Sequence, residues 1–267
     1  MGQVLLLALV FFAISTVFSM VGMGGGILYV PILLFAGFSI KQAPAISLIL
    51  IVATSAAALS TFWRNHKVDW KLALVIDPPT DVMAFVGGYF SALVPEATLR
   101  AILAGVLVVA GVLMLTNRTT QPRAEALRRA WWHWPRRFND VTYSVNLPLV
   151  LTATALVGLL SGMIGITGGI IKLPIMVLLC GVPMDIAVAT STVMVAVTAG
   201  SGLLGHALHG EVQWQTGAVL AIAAVAGGLL GSRVSIGADK VLLKRLFGVL
   251  VLLVALRLVV QLVSPAP

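Results

Sequence analysis

The chain has 267 residues and a formal net charge of +8, with 60% hydrophobic and only 10% charged residues. An ordinary soluble domain has roughly 25% charged residues, so this composition excludes a soluble enzyme, a disulfide-stabilised scaffold and a disordered protein. It indicates an integral membrane protein built of helices, because the apolar runs are continuous and far longer than the alternating segments of a β-barrel.

Long apolar stretches predict membrane helices, since a bilayer core of about 30 Å needs roughly 20 helical residues. Eight such stretches lie at 3–20, 43–62, 70–93, 98–116, 146–164, 187–206, 215–233 and 242–262. Two shorter stretches, 27–36 and 170–180, would each rise only about 15 Å as helices. We interpret the two short stretches as half-spans, re-entrant segments or distorted helices.

Each short stretch follows a glycine cluster and ends at a further glycine. The clusters are Gly22-Met-Gly-Gly-Gly26 and Gly165-Ile-Thr-Gly-Gly169, and the closing residues are Gly37 and Gly181. Glycine lets the backbone leave helical geometry and approach a ligand closely. A short helix that begins inside the membrane also presents free N–H groups, so two such N-termini facing each other would bind an anion. The alternative is that these glycines only permit close helix packing.

The sequence repeats itself at an offset of 143 or 144 residues. The recurring landmarks pair Gly22 with Gly165, Gly26 with Gly169, Pro31 with Pro174, Gly37 with Gly181, Ser47 with Ser191, Thr54 with Thr198, Trp70 with Trp214, Gly88 with Gly231 and Gly105 with Gly248. This pattern predicts two homologous membrane repeats, 1–117 and 144–267, joined by an Arg- and Trp-rich linker at 118–143.

Loop charges indicate the orientation of the two halves. The segment 64–71, around the start of the third long stretch at Trp70, is basic, whereas its counterpart before Trp214 has no Lys or Arg; in the following loop the bias reverses. Equivalent loops should therefore face opposite sides of the membrane. We predict an all-α polytopic bundle of inverted repeats with five plus five segments, counting the two glycine-led half-helices. The alternative is a parallel arrangement of four plus four helices.

The linker combines six arginines with Trp131, Trp132 and Trp134. Arginines beside aromatic rings are typical of a cytoplasmic segment at the surface of an anionic bilayer. We therefore predict a multi-pass protein of the cytoplasmic (inner) membrane whose linker faces the cytoplasm and the lipid bilayer, with no nucleic-acid partner. A protein-binding loop is the alternative, and a homo-oligomer is compatible with the sequence.

These motifs resemble a known family. The segment Gly22–Pro31, with the apolar run and Gly37 after it, is similar to the signature of the TauE/SafE sulfite exporter family, and 165–174 with 181–191 resembles the second copy. The resemblance covers nearly the whole chain outside the linker. It implies a secondary transporter that exports small sulfur-containing anions, such as sulfite, sulfoacetate or other organosulfonates, by alternating access. The alternatives are an anion channel and a transporter of another small organic anion.

The candidate anion site consists of backbone groups, hydroxyls and one cation, because such donors hold an oxyanion without a ring of charges. The residues are Gly24, Gly25, Gly26, Ser47, Thr54, Thr167, Gly168, Gly169, Lys172, Ser191 and Thr198. Hydroxyls in membrane helices also hold helices together. A lysine can likewise extend along the helix until its ammonium group reaches the cytoplasmic surface.

Asp77 and Asp81 interrupt an apolar stretch together with Pro78 and Pro79, whereas the equivalent segment 217–224 is wholly apolar. A carboxylate inside a membrane is a candidate for proton coupling; the alternative is an architectural kink near the cytoplasmic interface. His206 and His209 we place in a solvated outer loop rather than in a metal site. We expect no catalytic residues, metal or cofactor.

Overall fold

A computed structural model of the chain describes residues 2–116, 132–138, 141–165, 168–208, 210 and 212–237, with scattered positions between 239 and 260. Its helices are α1 (Gly2–Met20), α2 (Gly26–Phe35), α3 (Gln42–Arg64), α4 (Trp70–Ile76), α5 (Pro78–Phe90), α6 (Glu96–Thr116), α7 (Leu147–Ile164), α8 (Gly169–Pro174), α9 (Met184–Leu208) and α10 (Trp214–Ser235). Two strands, β1 (His133–Phe138) and β2 (Val141–Asn146), lie between α6 and α7. Most of the predicted stretch 242–262 falls outside the described residues.

The described structure is a helical membrane bundle, as predicted. Four of the described helices, α3, α7, α9 and α10, are long and apolar enough to cross a membrane, and Leu5–Met20 forms a shorter apolar helix. Both glycine-led stretches are short, as expected. The first is the ten-residue α2, and the second is the six-residue α8 continued by a π-helical turn at Ile175–Leu179.

The predicted stretch 70–93 is divided at Asp77. Helix α4 ends at Ile76, and α5 begins with Pro78. Proline has no N–H to donate and its ring clashes with the preceding turn, so a helix restarts there instead of passing through. The break leaves Asp77 at the join of the two helices, where the residue is buried.

The hairpin β1–β2 was not predicted. Its strands pair antiparallel, with His133 opposite Asn146 and Phe138 opposite Val141. Its apolar side chains form a hydrophobic cluster together with those of α4, the π-helical turn and the start of α9. This part of the linker therefore packs on the protein, and β2 extends three residues beyond the predicted boundary at 143. Residues 117–131, which hold several of the linker arginines and Trp131, lie outside the described residues.

Contacts between helices reveal the direction in which each helix runs. Where residue numbers on both partners rise together along an interface, the two helices are parallel. Four pairs of the described helices are parallel by this criterion. Their contacts are Thr16–Gly231 and Met20–Ser235 for α1 and α10; Ile49–Gly217 and Thr61–Ser232 for α3 and α10; Thr80–Gly158 and Ala84–Gly162 for α5 and α7; and Asp81–Thr198 and Gly88–Gly202 for α5 and α9. Two groups follow, namely α1, α3 and α10 in one, and α5, α7 and α9 in the other.

The two groups run in opposite directions. Leu48 of α3 lies at Gly202 of α9, whereas Ser55, further along α3, lies with the earlier Val195 of α9 beside Gly24. The numbers now fall on one partner as they rise on the other. Helices α1, α3 and α5 are thus each opposed to their counterparts α7, α9 and α10. This order supports inverted repeats, and the orientation across a bilayer stays a prediction.

Candidate functional site

The glycine clusters form tight turns with matched backbone geometry. Gly22 and Gly165 both have φ of +71°, and the closing Gly37 and Gly181 have φ of +93° and +70°. A side chain is strained at such φ values, and glycine is not. At Gly22 and Gly165 a Cβ would also collide with backbone atoms, of Val188 and of Pro44 respectively. Only glycine fits these two corners.

Two serines tie the turns to the opposite half of the molecule. Ser47 Oγ of α3 donates a hydrogen bond to Gly165 O at 2.6 Å, and Ser191 Oγ of α9 donates to Gly22 O at 2.7 Å. The two contacts are related by the repeat offset, so each half holds the other's turn in the same way. Reciprocal contacts of this kind are what a two-fold relation between the halves produces. In this structure both hydroxyl protons are used in joining the halves.

The two turns meet inside the bundle. A Cβ built on Gly169 would lie 3.4 Å from Met23 Cα, so the second cluster touches the first. Val195 of α9 lies between the clusters, 2.8 Å from that position and 2.7 Å from a Cβ built on Gly24. The beginnings of α2 and α8 are therefore neighbours.

Lys172 is fully buried beside the second turn. Its Nζ donates to Asp77 Oδ1 at 2.5 Å and to Thr198 Oγ1 at 2.8 Å, and Thr198 in turn donates to Asp81 Oδ1 at 2.8 Å. The lysine stem passes Gly168, whose Cβ position is 3.4 Å from Lys172 Cε. One cation and two carboxylates thus share a buried network. This geometry excludes extension of Lys172 to the surface and brings both predicted aspartates to the predicted lysine.

The equivalent position in the first half holds an uncharged network. Tyr29 corresponds to Lys172, and its hydroxyl lies 2.6 Å from Ser15 Oγ and 3.0 Å from Thr54 Oγ1. The ring folds back over Gly25, as Lys172 does over Gly168. Thr54 is the counterpart of Thr198, so each half places one threonine against the side chain that follows its glycine turn.

Ser55 is a polar group that lies directly at the first turn. Its side chain is buried, and its Oγ has no hydrogen-bond partner within the described structure. The same oxygen is 2.5 Å from a Cβ built on Gly24. A buried hydroxyl without a partner costs free energy, so Ser55 is a candidate ligand-binding group. Its counterpart is Ala199.

His206 corrects one sequence prediction. It lies inside α9 with 1% exposure, not in a solvated loop. Its Nε2 is 3.0 Å from Gly162 O and its Nδ1 is 3.2 Å from Ser91 Oγ, which explains the burial of a polar ring. His209 lies outside the described residues. Within the described part of the chain, no three His, Cys, Asp or Glu side chains come together as metal ligands.

A second ionic network holds the hairpin. Asp69 caps α4 by accepting from Leu72 N at 3.1 Å, and it accepts from Arg136 Nε at 3.0 Å and Nη2 at 2.8 Å. Tyr143 also donates to this carboxylate. Burial acts to raise the pKa of Asp69, but these hydrogen bonds outweigh it and hold that pKa below its usual value. Burial, together with the negative charge of Asp69, raises the pKa of Tyr143.

The duplicated glycine turns and their matched contacts can be compared with known proteins. The sequence profile of the family described as sulfite exporter TauE/SafE matches residues 7–258. The chain belongs to this family. The match spans both halves and the linker between them. It confirms the resemblance that the glycine motifs indicated.

Relatives of this TauE/SafE chain carry the names of membrane transporters. It is 28% identical to the probable membrane transporter protein YunE of Bacillus subtilis, over 83% of this chain and 84% of the relative. It is also 28% identical to a probable membrane transporter protein of Xylella fastidiosa, over 89% and 87% of the two chains, and to YfcA of Escherichia coli, over 83% and 77%. No solved structure matches the chain. The protein is a multi-pass membrane protein of a transporter family.

The predicted site residues of this TauE/SafE protein fall into three groups. Gly24, Gly25, Gly26, Gly168 and Gly169 form the turns. Ser47 and Ser191 tie the halves together, whereas Thr54 and Thr198 belong to the Tyr29 and Lys172 networks. Thr167 lies outside the described residues. Ser15, Tyr29 and Ser55 were not among the predicted site residues, because a hydroxyl in an apolar helix looks the same in sequence whether it binds a ligand or a neighbouring helix.

Proposed function

We propose that the protein is a secondary transporter that exports small sulfur-containing oxyanions, such as sulfite, sulfoacetate or other organosulfonates, by alternating access. The observation that carries this proposal is the meeting of the two glycine turns beside the buried Lys172. Family membership supports transport in general. The substrate class rests on the family's description and on the chemistry of the site.

The site is suited to a small anion. We call the place where the clusters 22–26 and 168–169 meet the glycine junction. Lys172 supplies a buried positive charge there, and Thr198 and Ser55 supply hydroxyls on either side of it. The N-terminus of α2 adds backbone N–H groups and the positive end of a helix dipole. In this proposal the substrate takes the place of Asp77 as the counter-ion of Lys172, which avoids leaving a buried charge alone.

Asp77 and Asp81 supply the proposed coupling to protons. When the anion binds Lys172, Asp77 loses its counter-ion, and a carboxylate buried without one favours the protonated form. Asp81, joined to Lys172 through Thr198, lies next in the network. Proton uptake and anion binding are therefore mutually favourable, so the protonation of Asp77 is coupled to binding of the anion.

The reciprocal contacts between the halves support the proposal of alternating access. Ser47 and Ser191 make equivalent contacts across the interface, so exchanging the conformations of the two halves recreates the same hydrogen bonds with the roles reversed. Inverted repeats use such an exchange to open a central site first to one side and then to the other. We propose that the halves rock in this way around the glycine junction.

Transport into proteoliposomes tests the function. Sulfite, sulfoacetate, sulfate and thiosulfate are each supplied with and without a pH gradient. We expect saturable uptake of at least one sulfur oxyanion that a pH gradient accelerates, and loss of that acceleration in Asp81→Asn. Absence of uptake for all four anions would refute the substrate class, and ion currents beyond the turnover of a carrier would identify an anion channel instead.

The proposed topology places the linker on the cytoplasmic side of the inner membrane. Arg136 of the linker pairs with Asp69 of the basic segment 64–71, so the hairpin lies at the same end of the bundle as this segment, which supports the orientation. Cysteines introduced at positions 66 and 209, in a Cys180→Ala background, should label from opposite sides of the membrane. Labelling of both from one side would contradict the inverted arrangement.

A further inference from the structure

A cavity of about 180 Å³ opens between the C-terminal ends of α3 and α10 and the first turn of α9. Its polar lining comes from Asn65, Lys67, Asp185 and Ser235. Lys67 and Asp185 face each other there, with Nζ 2.7 Å from Oδ2. The cavity therefore holds an ammonium group and a side-chain amide, which are donors that can bind an oxyanion.

The Lys67–Asp185 pair differs from the other two ion pairs of the described structure. The side chains of Lys67 and Asp185 are 46% and 49% exposed, whereas those of Lys172 and Asp77 are 0% and 7% exposed. Arg136 and Asp69 are also mostly buried and are joined by two hydrogen bonds. A half-exposed pair is held weakly, since water competes for both charges. Lys67 can therefore exchange its partner at little cost.

The inner wall of this cavity leads to the first glycine turn. Ser235, which lines the cavity, donates to Met20 O at 2.6 Å, two residues before Gly22. Val188, a second lining residue, has its carbonyl oxygen against Gly22, and Ser191 donates to both Val188 O and Gly22 O. Only one layer of residues separates the cavity from the turn.

We propose that this cavity is an entry site for the transported oxyanion, in which the anion displaces Asp185 from Lys67 before it reaches the glycine junction. This inference rests on the proposed function and adds a second, outlying site to it. The ligand class is a small oxyanion with a sulfite or sulfonate group, whose oxygens accept from Lys67 Nζ and the Asn65 amide. Asp185 is the internal competitor that the anion replaces.

Opposite charge deletions at the two ends of the pair test the entry site. For the anion that wild-type protein transports, Lys67→Gln should raise KM at least about threefold, because the docking cation is lost. Asp185→Asn should lower KM, because the competitor and its negative charge are removed. In both variants the change in KM should exceed the change in kcat. A structural ion pair predicts instead that both deletions act in the same direction, and that result would overturn the proposal.

Two control variants separate docking from other effects. Lys71→Gln removes the same charge from the same basic segment without touching the cavity, so a KM rise equal to that of Lys67→Gln would reduce the effect to long-range attraction and overturn the entry site. Lys67→Arg should keep KM near the wild-type value. If wild-type protein transports none of the sulfur oxyanions, the proposed function fails; if it transports one and the two deletions do not differ in sign, the entry site alone fails.

Discussion

The two halves of the molecule place different chemistry at one equivalent position. In the first half, Tyr29 lies over Gly25 and bonds to Ser15 and Thr54, all uncharged. In the second half, Lys172 lies over Gly168 and bonds to Asp77 and Thr198. The backbone frame is the same in both, since the turns, the threonine and the cross-tying serine all correspond.

The difference separates the frame from its chemistry. What the halves share, namely the glycine turns and the serine contacts, serves the interface between them. The halves differ most clearly in the network around Lys172, since Lys172 corresponds to Tyr29, and Asp77 and Asp81 have apolar counterparts within 217–224. A duplicated fold has thus kept its architecture in both copies, whereas its one network around Lys172 combines a lysine of the second copy with two aspartates of the first.

Removing the cation should have the largest effect. Lys172→Met leaves Asp77 buried without a counter-ion, which should lower the free energy of unfolding by about 3–5 kcal/mol and abolish transport. The double variant Lys172→Met with Asp77→Leu should recover thermal stability in detergent, because apolar residues replace the whole pair, yet remain inactive. Transport by the double variant would show that the buried pair serves architecture alone.

The shared frame should respond equally in both halves. Gly88→Ala and Gly231→Ala occupy equivalent positions where a Cβ would collide with the backbone of Gly202 and of Thr16. Each should destabilise by about 1–3 kcal/mol, as measured by thermal unfolding in detergent. Gly200→Ala is the matched control, because nothing lies within 4 Å of its Cβ position and alanine favours a helix. A large effect in one half only would break the symmetry of the frame.

The residues that precede α4 and its counterpart α10 also differ between the halves. Asp69 holds Arg136, whereas its counterpart Gln213 makes no side-chain cap at α10. Asp69→Asn should cost about 1–3 kcal/mol and raise hydrogen exchange in β1 and β2, whereas Gln213→Ala should leave the exchange of the hairpin unchanged. Unaltered exchange in Asp69→Asn would show that apolar packing alone holds the hairpin.

Acid should mimic this substitution. Because the pKa of Asp69 is lowered in the folded protein, the stability it contributes is present above the ordinary Asp value of about 3.9. It is lost as the pH falls through the lower folded value. The protection factors of the hairpin amides, which correct for the intrinsic pH dependence of exchange, should therefore stay constant between pH 5 and pH 8, as checked by mass spectrometry, and a transition within that window would contradict the assignment to Asp69.

Removing one hydroxyl from the uncharged network of Tyr29 should have the smallest effect. Tyr29→Phe leaves Ser15 and Thr54 with the backbone carbonyls to which they already donate, so the loss should be about 1 kcal/mol. Transport should continue, in contrast to Lys172→Met. A complete loss of transport in Tyr29→Phe would mean that both halves bind the substrate. That result would contradict the conclusion that only the Lys172 network binds it.

Much of the fold could be predicted from the sequence, because apolar length, glycine punctuation and the repeat offset are local or periodic signals. The bounds of α1, α3, α7 and α10 lie within two residues of the predicted stretches. The break at Asp77 was visible from its two prolines. The hairpin was missed, since Trp and Arg residues in a linker look like a lipid-facing segment whether or not they pack on the protein.

The membrane class, the duplication and the family signature are properties of the chain itself, because each depends on residue types and spacings along it. The hydrogen-bond partners of single polar groups cannot be read from residue types and spacings in this way. Lys172 could extend to the surface or bind Asp77, 95 positions away, and His206 could face water or Gly162. Only the packing of α5, α7, α8 and α9 decided these cases, since a buried charge or ring nitrogen takes whichever partner the folded neighbours bring within hydrogen-bonding distance.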